Sequence, residues 1–121
     1  MLMSIENVTK IEKGQGQVVV PVWNEGTASE DWKETEFRSF QNKTGSLFGG
    51  TWQGSPGRLV LEAYPYNEIC VMLTGHVALV DSDGGRKDFK AGESFFVPKG
   101  FSGVWLTIEE SSKIFIAVEN D

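Results

Sequence analysis

The stretch LEAYPYNEICVMLTG (residues 61–75) decides how this chain folds. In its second half Ile69, Val71 and Leu73 alternate with Cys70, Met72 and Thr74. A period of two residues is the signature of a β-strand, whose successive side chains point to opposite faces. Here both faces are largely apolar, so the sheet is expected to be covered on both sides, by a partner or by an N-terminal flap. A homodimer is the expected solution. Just upstream, RLVLEAY (residues 58–64) sets Leu59, Leu61 and Ala63 against Arg58, Val60, Glu62 and Tyr64. Patterning turns the apolar set inward, and whether Glu62 faces the interior stays open.

Working outward, strand-like segments recur at short intervals. QVVVPVW (17–23), TEFRSF (35–40) and LFGGTWQ (47–53) precede the stretch, and HVALVD, RKDF, SFFV, GVWLTI and KIFIAV follow it. Between them stand turn signals, Ser55-Pro56-Gly57, Asp83-Gly84-Gly85, Ala91-Gly92 and Pro98-Lys99-Gly100. Proline presets φ and glycine accepts positive φ, which is what tight turns need. This spacing predicts an all-β sandwich or barrel. Thr27 and Glu30 have capping-box spacing, with Asp31 favouring the positive helix end, so one short helix is expected after Thr27. The more polar residues 1–45 read as an N-terminal arm with outer strands, and residues 46–121 as the barrel core, all within one domain spanning 1–121.

A chain of 121 residues can bury roughly two-thirds of the surface it exposes when unfolded. Seventeen acids against eleven bases leave a net charge of −6, and no basic block stands out, so no nucleic-acid partner is expected. The single cysteine, Cys70, supplies neither an internal disulfide nor a thiolate zinc cluster. No segment has the layout of a signal peptide or the length of a membrane helix, and a cytoplasmic location without membrane partners is the expectation. Asn7-Val8-Thr9 matches a glycosylation sequon and is read as chance.

Two further spacings point to a family. Glu68 is followed after six residues by Gly75, and Gly92, five residues, Pro98, one residue, Gly100 form a second pattern. Over residues 49–118 the chain resembles the cupin superfamily, whose two motifs have these separations. That resemblance implies an all-β, jelly-roll antiparallel barrel. The texture of GTWQGSPGRLVLEAYPYNEICVMLTG, GESFFVPKGFSGVW and SSKIFI is similar to the cupin domain related to (S)-ureidoglycine aminohydrolase, a branch with many members of unassigned function.

In metal-binding cupins two histidines precede the motif glutamate and a third follows the second motif. With the shorter family spacing those places hold Glu62, Tyr64 and Gly103, and with the longer one the first two become Leu61 and Ala63. Without imidazoles a transition ion has poor donors, so no metal and no cofactor are expected. His76, the only histidine, alternates with Val77 and Leu79 and is expected to face solvent. Gly103 would leave a hole beside Trp105, which either lines an apolar slot or fills the core.

The retained Glu68 is a candidate general acid or base, or else a buried carboxylate satisfied by backbone amides, Tyr64 or an arginine such as Arg58. Cys70, two residues on, reads as a packed thiol. Lys99 and Lys113 are matched by basic residues in the family and read as solvated or anion-steering. The expected pocket is lined by Glu62, Tyr64, Glu68, Trp52 and Trp105, with Glu68 as the one catalytic candidate. The functional expectation is a cupin-fold protein that binds a small polar metabolite without a tightly held metal. The alternatives are a small-molecule hydrolase or isomerase using Glu68, and a structural protein with a filled barrel.

Overall fold

The computed structural model describes residues 2–119. Eight strands follow in order: β1 (Gln17–Val19), β2 (Glu34–Gln41), β3 (Leu47–Gly54), β4 (Gly57–Leu61), β5 (Asn67–Val80), β6 (Arg86–Lys90), β7 (Ser94–Val97) and β8 (Gly103–Val118). Every pairing is antiparallel. The all-β expectation holds, with a jelly-roll layout.

The two long strands organise the molecule. β5 and β8 pair along nearly their whole length, and each passes from one layer into the other. In the first layer the order is β1-β2-β3-β8-β5-β7, using residues 111–118 of β8 and 67–71 of β5. In the second it is β4-β8-β5-β6, using residues 103–107 of β8 and 76–80 of β5. The segments ICVMLT and HVALVD, separate in the sequence pattern, are therefore one strand.

A bulged register between Met72 and Val77 lets β5 change layers. Before it Glu68, Cys70 and Met72 are buried, and after it Val77 takes the inward phase. Gly75 makes the corner possible: its φ is 86°, and a Cβ there would lie 2.2 Å from Ser111 Oγ and 2.4 Å from the Glu110 carbonyl oxygen. On β8, residues 108–110 lie exposed at the same corner, between buried Thr107 and Ser111.

The inner faces meet in one core containing Phe48, Trp52, Leu59, Met72, Trp105 and Phe115. Each such side chain contributes about 1.5–3 kcal/mol when fully removed from water. The helix expected after Thr27 does not form. Thr27 Oγ1 donates to the Asn24 carbonyl at 2.6 Å, and the Ser29 amide and Thr27 carbonyl are bonded to Arg58 and Val60 of β4. With its backbone groups committed to that edge, the segment bridges to Leu59 through Ala28 instead of coiling.

Candidate functional site

β3, β4, β5 and β8 wall one side of a cavity of about 300 Å³, and residues 19–38 close the other. All four tryptophans of the chain line it: Trp23, Trp32, Trp52 and Trp105. Trp52 and Trp105 meet edge to face with centroids 5.7 Å apart. Glu34, at the start of β2, accepts hydrogen bonds from three of the indoles, Trp23, Trp32 (2.8 Å) and Trp52 (2.8 Å). Its neighbour in phase, Glu36, pairs with Arg38 at 3.0 Å. Burial raises the Glu36 pKa above its ordinary value, against the lowering influence of Arg38.

The floor is a charged cluster in the apolar interior. Glu68 and Lys113, each 4% exposed, form an ion pair at 2.8 Å. The same carboxylate accepts the Tyr64 hydroxyl at 2.9 Å and the Cys70 thiol at 3.0 Å, and Lys113 also donates to the Cys70 sulfur at 3.2 Å. The ammonium lies 4.2 Å from the Trp105 ring centre and 5.1 Å from that of Trp52, within cation–π range. Among the described residues no buried side-chain nitrogen or oxygen lacks a partner. A buried charge is tolerated only when paired and hydrogen-bonded, and this cluster meets that condition.

The network sets the protonation states. Burial by itself would raise Glu68, but the Lys113 charge, with hydrogen bonds from Cys70, Lys113 and Tyr64, holds its pKa below the ordinary range. Burial works against the Lys113 ammonium, yet the Glu68 carboxylate, which both faces it as a charge and accepts its hydrogen bond, outweighs that and keeps its pKa raised. Burial pushes both the Cys70 thiol and the Tyr64 phenol well up, and the Glu68 charge adds to each. Cys70 is thus a neutral thiol, and Glu68 is the charge that Lys113 answers.

These shifts predict a lopsided pH profile for stability. Cys70, Tyr64 and Lys113 each hold a proton in the folded state that the unfolded chain releases above its ordinary value of 9.0, 10.0 or 10.5. Stability therefore falls as pH rises from about 9. In acid, Glu68 contributes stability above its unfolded value of 4.5 that is lost as pH falls through its lower folded value. The raised Glu36 acts in the opposite sense and partly offsets that loss. Urea midpoints measured from pH 3 to 11 check this; a flat alkaline limb would contradict it.

The residues do not fit a transition ion. Among those described, no group of three or more His, Cys, Asp or Glu is placed to hold a metal. Glu68 already serves an ammonium, a thiol and a phenol, and a raised thiol is a poor ligand because metals bind the thiolate.

Of the residues expected in the pocket, Tyr64, Glu68, Trp52 and Trp105 line the cavity. Glu62 does not; it is exposed. β4 ends at Leu61, and Ala63 adopts a left-handed φ of 46° while its amide binds Ser102 Oγ. That kink breaks the two-residue period, so Leu59, Leu61 and Tyr64 all turn inward and Glu62 turns out. The hole expected at Gly103 is filled: a Cβ there would lie 2.3 Å from the Val80 carbonyl oxygen and 2.8 Å from the Phe101 ring.

Of the partners expected for Glu68, Tyr64 is in place, while Arg58 is exposed and Lys113 supplies the cation. Of the two lysines read as solvated, Lys113 is buried and Lys99 lies at the surface, donating to the Glu119 carbonyl. His76 is only partly accessible and pairs with Asp88 at 2.7 Å. Trp23, Trp32, Glu34, Glu36 and Arg38 carry no local motif, and only the clustering of tryptophan hints at them.

Residues 42–115 match the family described as the EutQ-like cupin domain. No curated protein matches the chain. Among solved structures it is similar to a DUF861-family protein of unknown function from Pseudomonas syringae pv. tomato DC3000, with a TM-score of 0.75 and 15% identity over 89% of this chain and 46% of that one. The chain thus spans less than half of that relative's length. It is also similar to a putative ethanolamine utilization protein Q from Salmonella typhimurium LT2, with a TM-score of 0.66 and 20% identity over 89% of this chain and all of the other. The EutQ protein of Clostridium difficile gives a TM-score of 0.64 and 18% identity over 81% and 80%. At these identities the structural likenesses establish the jelly-roll barrel alone, while the match over most of the barrel establishes the family: the chain belongs to the EutQ-like cupin domains, within the cupin superfamily.

Proposed function

We propose that this chain binds a small polar organic molecule in the tryptophan-lined cavity. The observation that carries the reading is the cavity's make-up: about 300 Å³, largely aromatic walls, and a few fixed polar groups converging on the interior. Small-molecule sites are built this way, with apolar surface for contact and sparse polar groups for orientation. Glu68 serves as an anchor in this reading. Its carboxylate is held ionised by Lys113 and already accepts Tyr64 and Cys70, an arrangement suited to fixing a floor rather than to passing a proton. The hydrolase alternative suggested by the ureidoglycine-related branch needs that proton transfer and draws less support.

Thermal unfolding against ureides, amino acids, amines and sugars tests the reading. A ligand at a hundred times its dissociation constant stabilises by about 2.7 kcal/mol, which the unfolding midpoint will register. No shift across the panel would favour a barrel that takes no guest.

The second partner in this reading is another copy of the chain. Ile69 and Phe96 stand opposite one another on the outer face of β5 and β7, with Phe96 57% exposed, and the arm carries Val22 at 94%. Two uncovered apolar surfaces on one chain can cover each other across a two-fold axis. Sedimentation equilibrium is expected to give twice the chain mass, reduced to one by Phe96→Asp; a single-chain mass for the unaltered protein would contradict it.

A further inference from the structure

We propose that the guest of this cavity is an organic cation of the ammonium class, balanced by Glu34 and seated against the indole walls. This rests on the cavity being a small-molecule site and adds the class of ligand.

Three carboxylates and two cations line the cavity. Glu68 is paired with Lys113 at 2.8 Å and Glu36 with Arg38 at 3.0 Å. Among the described residues Glu34 has no cationic partner. Its hydrogen bonds come from the indoles of Trp23, Trp32 and Trp52, which are neutral donors. They occupy three of the roughly four acceptor positions of a carboxylate and leave its charge uncompensated. The lining therefore carries one net negative charge when its groups are ionised, which disfavours an anionic guest.

The walls answer the same chemistry. An indole that donates its ring N–H to a carboxylate keeps its π faces free of that carboxylate, and those faces attract cations. The cavity already shows this preference at its floor, where the Lys113 ammonium sits 4.2 Å from the Trp105 ring centre and 5.1 Å from that of Trp52. Toward Trp23 and Trp32 the walls offer the same pairing of indole and carboxylate with no lysine to fill it. Aromatic cages with a nearby carboxylate are the established means of holding alkylammonium groups.

Because every tryptophan of the chain lines this cavity, intrinsic fluorescence reports directly on its occupancy. The test titrates the unaltered protein at pH 7 and low ionic strength with choline and with tetramethylammonium. It then repeats the titration with 3,3-dimethylbutan-1-ol, the neutral carbon analogue of choline. The expected result is a saturable change in emission for the cations, at concentrations at least tenfold lower than for the neutral alcohol. Glu34→Gln should weaken cation binding tenfold or more with an unchanged circular dichroism spectrum.

Equal binding of alcohol and cation overturns the proposal. So does binding of a ureide, sugar or organic acid when neither cation binds, in which case the small-molecule reading stands and only the ligand class falls. No binding by any compound overturns both. The comparison of charged and neutral analogues needs no variant, so a Glu34→Gln protein that failed to fold would leave the decision intact.

Discussion

Lys113→Met will lower the thermal unfolding midpoint more than any other single substitution in the barrel floor. Removing one partner of a buried ion pair strands the other charge, at a cost of about 3–5 kcal/mol. In a domain of this size that corresponds to a fall of roughly 10 °C or more. Glu68 is the stranded group, 4% exposed and left with only a phenol and a thiol. Its pKa will rise once the ammonium is gone, so the variant will regain part of its stability as pH falls toward the acid range, a trend opposite to that of the parent.

The double variant Glu68→Leu/Lys113→Met provides the control. Replacing both partners of a buried pair by apolar groups is often neutral, so much of the loss is expected to return. A loss under about 1 kcal/mol for Lys113→Met alone is what an exposed, solvated pair would give, and would contradict the buried one.

Trp52→Ala is expected to cost about 3–5 kcal/mol, the range for truncating a large buried aromatic. Trp52 is buried, packs edge to face on Trp105, covers the Lys113 ammonium and donates to Glu34 at 2.8 Å. Trp52→Phe separates these contributions. It keeps most of the contact area and loses the N–H, so it should cost about 1.5–3 kcal/mol, most of it from the lost bond to a carboxylate acceptor. Denaturant midpoints for the pair decide the matter. Equal losses would place the indole's contribution in its hydrogen bond instead of its packing.

The strand pattern and the two glycine-bearing spacings were legible because they are local. Alternation along residues 69–74 marks β5, and Gly75 must accept a positive φ wherever that strand turns its corner. The pocket was legible only where it lies on those strands. Glu68 and Cys70 share a face by spacing, and Lys113 shares the buried phase of Phe115 and Ala117, which is the signal that would have placed it inside. A lysine in a strand is ordinarily solvated, and nothing within ten residues announces that its partner stands across the sheet.

Glu62 misled because the family spacing, and not the strand pattern, placed it in the pocket: the alternation of Leu59 and Leu61 turns it outward. The left-handed turn at Ala63, a conformation that a side chain with a Cβ rarely adopts, then brings Tyr64 inward without it. The outer wall of the cavity is built from residues 19–38, and no periodic pattern relates Trp23 and Trp32 to Trp52. Only the folded chain gathers them on Glu34.

The charge state of Lys113 is the point on which the barrel floor depends, and nitrogen-15 NMR of its side chain reads that state directly. A protonated Nζ, slow to exchange and retained from pH 6 to 10, unchanged by equimolar zinc, is the predicted result. A neutral amine signal below pH 9, or a resonance that zinc displaces, would mean that the floor is an open ligand set and not a closed ion pair.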